Sequence, residues 1–135
     1  MPTEAIVYVL TALAAVVIVL TRLRLGRGDR GAGRLQTGQG FVNVHTIAGV
    51  LALGTWVVFL VVGNEVLGIV SLAFWWVVAV AGLAILVRWL PSRGKHASEG
   101  QEDSWSEGPG LSVLAHVGML VGVGVFTWAY LTSAV

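Results

Sequence analysis

The sequence has no cysteine, and only 11% of its residues are charged. The absence of cysteine excludes disulfides, thiolate metal sites, iron–sulfur clusters and cysteine nucleophiles. A water-soluble domain carries about 25% charged residues, so a chain with this few charges cannot keep its surface hydrated. A water-soluble enzyme is therefore excluded.

Apolar residues are abundant instead: 56% of the chain is hydrophobic, and its mean hydropathy is +0.86. They form four long runs, at about 5–21, 41–63, 66–90 and 111–133. Each run is long enough to cross ~30 Å of hydrocarbon as an α-helix. Little chain remains for a second domain. We predict an all-α fold over residues 1–135, an integral membrane four-helix bundle of antiparallel, up-down helices.

The basic residues predict how this bundle is oriented. All eight lie in, or next to, the two polar segments 22–40 and 91–110, and against them the opposite end offers only the acidic Glu4 and Glu65 and the amide Asn64. The positive-inside rule then makes both segments cytoplasmic loops, with the N- and C-termini on the non-cytoplasmic side. Seven of the eight are arginines, which suggests a GC-rich bacterial genome. We expect a multi-pass protein of the bacterial inner (cytoplasmic) membrane, with lipid around it and no bound nucleic acid.

Two ionisable side chains, His45 and His116, lie well inside the apolar runs, where an unpartnered charge or polar group is costly. His45 follows the start of its run by four residues and His116 by five, so both lie about 6–8 Å deep from the same surface. Haem iron takes two such axial nitrogens, whereas structural zinc needs four ligands. The pair therefore predicts haem ligation, with an interhelical histidine hydrogen bond, a proton relay or a quinone site as alternatives.

Other residues near this depth suit a cofactor. Gly49, one turn after His45, leaves space for a wide ring, and Arg88 or Arg34 supplies a cation for acidic substituents of the cofactor. We expect Asn43 or Thr46 to orient an imidazole through its second nitrogen. The aromatic side chains expected to fill the bundle beyond the cofactor are Trp56, Phe59, Phe126 and Trp128.

The stretch NVHTIAGVLALGTWV at 43–57, together with LAHVGMLVGVGVF at 114–126, resembles small four-helix membrane cytochromes of the b type. The family includes haem-carrying membrane anchors of quinone-linked dehydrogenases. In the last run, Leu120 occupies the offset that Gly49 has after His45, so the resemblance is carried mainly by the second run. It implies one haem b between His45 and His116, because this sequence has one membrane histidine pair.

The function that we predict is electron transfer, as a haem-b protein or as the cytochrome anchor of a quinone-linked respiratory complex. Its partners would be a quinone and either a larger membrane complex or further copies of the chain. A non-haem accessory subunit that packs against a larger complex is the main alternative. A small proton-coupled transporter is disfavoured, because the apolar runs hold no central carboxylate.

Overall fold

The computed structural model describes residues 1–26, 39–89 and 109–135, and this part of the chain is helical apart from short ends and one turn. Its helices are α1 (Thr3–Gly26), α2 (Gln39–Val62), α3 (Glu65–Trp89) and α4 (Pro109–Leu131). All four are long and apolar enough to cross a membrane. The prediction of an all-α protein with four membrane-spanning helices is confirmed at this level.

The helix ends differ from the predicted boundaries by one to five residues. The largest difference is in α1, which continues to Gly26, so that Arg22 belongs to the helix and not to the predicted loop 22–40. A helix satisfies its own main chain, and an arginine near its end can extend its guanidinium to water, so the helix need not stop where the apolar run stops. Of the two predicted loops, residues 39–40 and 109–110 also belong to helices, and 27–38 and 91–108 lie outside the described residues.

The helices pack in a closed ring. Each helix packs against the next one in the chain, and α4 packs against α1. The two pairs that are not neighbours in this ring, α2 with α4 and α1 with α3, therefore face each other across the bundle axis. This arrangement decides which side chains can meet in the middle.

A two-residue turn joins α2 to α3 and is well specified by its sequence. Gly63 ends α2 with a φ of +69°, a left-handed conformation that glycine adopts without strain. The side-chain oxygen of Asn64 accepts hydrogen bonds from the main-chain N–H groups of Val66 and Leu67 at 3.0 and 3.2 Å. These bonds cap the start of α3, where N–H groups have no partner inside the helix. We call the end of the bundle with this turn the turn end.

Aromatic side chains fill the half of the bundle toward the turn end. Trp56 stacks on Phe126 with ring centroids 4.7 Å apart, and Trp75 lies on the other side of Phe126 at 5.7 Å. Phe59 is buried beside Trp56, as predicted, but Trp128 is 55% exposed. Positions 126 and 128 are about 200° apart around a helix, so when Phe126 faces the core, Trp128 faces outward. Trp75 occupies the core in its place.

Gly68 allows two of these rings to approach α3. A Cβ atom at this position would lie 2.5 Å from Cε2 of Tyr130 and 3.0 Å from Cε2 of Phe59. Such distances are too short for any side chain, so glycine is required by packing. The hydroxyl of Tyr130 donates a 3.2 Å hydrogen bond to the carbonyl oxygen of Glu65, which joins the end of α4 to the start of α3.

One buried hydrogen bond connects α1 to α2. The indole nitrogen of Trp56 donates to the hydroxyl oxygen of Thr11 at 3.1 Å, and that hydroxyl donates to the carbonyl oxygen of Val7 at 2.8 Å. Both Trp56 and Thr11 are buried. The bond therefore satisfies an indole N–H that would otherwise have no partner in an apolar core.

Thr11→Val should destabilise the bundle by about 1 kcal/mol, because it removes the acceptor of the Trp56 N–H and keeps the side-chain shape. The measurement is the unfolding midpoint in mixed detergent and sodium dodecyl sulfate. Thr55→Val is the matched control, since the Thr55 hydroxyl donates only to main-chain carbonyls of its own helix. Equal midpoints for the two variants would show that the interhelical bond contributes nothing.

Candidate cofactor site

The structure brings His45 and His116 together. His45 lies in the second turn of α2 and His116 in the second turn of α4, at the end of the bundle opposite the turn end. Their ring centroids are 6.0 Å apart, and the ring planes differ by 23°. We call this pair the histidine pair.

The two rings meet because their helices face each other diagonally. Packed neighbours have axes 8–10 Å apart, and side chains interdigitate between them. Diagonal helices are farther apart, so side chains the length of histidine extend into the centre from both sides and meet there. The histidine pair thus lies on the bundle axis, with α3 on one side and α1 on the other.

Gly82 forms the α3 side of the site. A Cβ atom there would lie 2.8 Å from Cδ2 and 3.1 Å from Nε2 of His116, and 2.9 Å from Cε1 of His45. Edges of both rings therefore converge on one glycine of a third helix. Sequence reasoning missed Gly82, and the available signal was weak: Gly82 stands among the small residues Ala79, Ala81 and Ala84 in an otherwise bulky run.

The Nδ1 atom of His45 is buried and has no hydrogen-bond partner among the described residues. A buried polar atom in this state costs roughly 1–3 kcal/mol, so such atoms are few in native proteins. The indole Nε1 of Trp75, in the aromatic core, is in the same state. Asn43 and Thr46, the residues expected to orient an imidazole, do not bond to this atom. Asn43 is exposed, and Thr46 lies on the wall of the adjoining cavity.

A cavity of about 100 Å³ adjoins the histidine pair. Gly49 lies on its wall, and a Cβ atom there would meet only Cδ1 of Ile18, at an ordinary 3.9 Å. The missing side chain of Gly49 therefore adds volume to the cavity, but no close contact requires glycine at this position. The full lining consists of Val17, Ile18, Arg22, His45, Thr46, Gly49, Val78, Ala79, Ala115, His116 and Met119.

The arginine that lines the cavity is neither of the two, Arg88 and Arg34, that were predicted to supply a cation there. Arg22 of α1 lies on the wall. Arg88 belongs to the last turn of α3, but its side chain is outside the described part of the structure, and so is the whole of Arg34. The predicted roles of Arg88 and Arg34 stay predictions.

The donor set fits a haem better than a bare zinc ion. Among the described residues no group of three or more histidine, cysteine or acidic side chains lies together, so a four-ligand zinc site is not formed there. Two imidazole nitrogens, each about 2.0–2.1 Å from one metal ion, would hold their ring centroids roughly 6 Å apart. This holds only where the two nitrogens face each other, and in the structure Nε2 of His116 lies toward Gly82 of α3, 3.1 Å from the position of a Cβ atom there.

The volume of the cavity limits which ligands it can hold. At about 100 Å³ it is below the ~300–1,000 Å³ of typical organic ligand sites. Gly82 offers no spare volume on the α3 side, because the edges of both imidazoles already lie against it. A macrocycle therefore fits only if the α1 wall, formed by Val17 and Ile18, moves outward.

Gly82→Ala should lower the stability of the bundle by about 1–3 kcal/mol, because the added methyl group forces two buried rings to move. The measurement is again the unfolding midpoint in mixed detergent. Gly124→Ala is the control: it is a helical glycine of α4 with nothing within 4 Å of the added atom, so its midpoint should stay the same or rise. If Gly82→Ala behaved like Gly124→Ala, the close approach at Gly82 would be wrong.

Comparison with known proteins gives no relative from which a function of this site could be inferred. No family model, no curated protein and no solved structure matches the chain. The resemblance to b-type cytochromes therefore stays an expectation from the sequence, and the histidine pair is the observation from which a function is inferred.

Proposed function

We propose that this chain is a membrane haem-b-binding electron-transfer protein in which His45 and His116 are the axial ligands. The observation that carries the proposal is the meeting of two imidazoles from diagonal helices, with centroids 6.0 Å apart. The unpartnered Nδ1 of His45 is compatible with a bound group but does not single one out, since Nε1 of Trp75 in the aromatic core is unpartnered as well.

A haem with two histidine ligands has no open coordination position, so when bound it would exchange single electrons and would not bind oxygen. The residues of the chain position and insulate it. His45 and His116 would hold the haem from opposite helices, and Gly82 lets both imidazole edges approach α3. The apolar wall of Val17, Ile18 and Val78 excludes water, and a dry surrounding is one of the factors that set a redox potential.

The membrane setting of this proposal follows from the charges. We propose an up-down bundle in a bacterial inner membrane, with the histidine pair near the cytoplasmic face and both termini outside. Arg22, at the histidine end of α1, agrees with the positive-inside rule, while Glu4 and Glu65 lie at the turn end. A membrane quinone and a larger respiratory complex are the electron partners that we propose.

A non-haem accessory subunit is the second candidate, and one observation favours it. The bundle is already packed at the turn end by an aromatic core, and the cavity at the histidine end is smaller than a haem. In this case the histidine pair joins the diagonal helices α2 and α4 across the bundle axis. The chain would then be colourless, and it would depend on a larger complex for stability.

The test of the haem proposal is the absorption spectrum of the purified chain after expression with added haem precursor. We expect a six-coordinate haem-b spectrum with a reduced α-band. His45→Ala and His116→Ala should each lower haem content at least tenfold, because each removes an axial ligand. His96→Ala is the matched control, since His96 lies outside the four spans and should leave the spectrum unchanged.

Folding is checked in the same samples by monodisperse elution and helical circular dichroism. A well-folded wild-type chain that takes up no haem, even when haem is added to the apoprotein, would rule out the proposal and favour the accessory subunit. Haem that persists in both ligand variants would show that it binds elsewhere.

The topology can be tested because the chain has no cysteine of its own. A membrane-impermeant maleimide applied to intact cells should label Ser133→Cys, just after α4, and should not label Ser98→Cys, in the predicted cytoplasmic loop. Both variants should react after the membrane is permeabilised. The reverse pattern would invert the proposed orientation.

A further inference from the structure

We draw no further inference here: the strongest candidate, the apolar groove toward the turn end between Ala12 and Ala15 of α1 and Leu53 and Val57 of α2, carries nothing because nothing in the structure shows what covers it.

Discussion

A polar side chain in an apolar bundle needs a partner inside the bundle, and this requirement governs the arrangement around His45 and His116. Neither ring can turn to water without leaving the helix face on which it lies, and hydrocarbon offers nothing to bond to. The ring of helices places the two histidines on diagonal helices, where their ring centroids are 6.0 Å apart. Nδ1 of His45 is left without a hydrogen-bond partner among the described residues.

The two ends of the bundle are packed differently. At the turn end, the caps of Gly63 and Asn64 and the stacked rings of Trp56, Trp75 and Phe126 specify one packing. At the histidine end, small residues and a cavity take the place of large side chains. The largest fully buried side chains, among them Trp56, Trp75 and Phe126, are thus concentrated away from the histidine end.

The weakest wall of the site is α1. It contacts α2 and α4 less extensively than the other neighbouring helices contact each other, and its buried tie to α2 is the Trp56–Thr11 hydrogen bond near the turn end. Ile18 meets α2 only loosely, at the open position beside Gly49. An outward movement of the α1 segment that includes Val17, Ile18 and Arg22 would therefore break few contacts. The same segment carries Arg22, so one helix supplies both the loosely packed wall of the cavity and the cation beside it.

The sequence by itself determined the four spans, the asymmetry of charge and the common depth of the two histidines, because these depend on composition and on the fixed rise of a helix. It also indicated Trp56, Phe59 and Phe126 as core residues, but not which side Trp128 faces, since any residue of an apolar run suits either lipid or core. Only the tertiary structure decided that α2 and α4 are diagonal, that Gly82 of α3 lies against both rings, and that Arg22 lines the cavity. The physical reason is that lipid and protein interior are equally apolar. Hydropathy therefore determines where a chain crosses the membrane, and close packing between helices determines which faces meet.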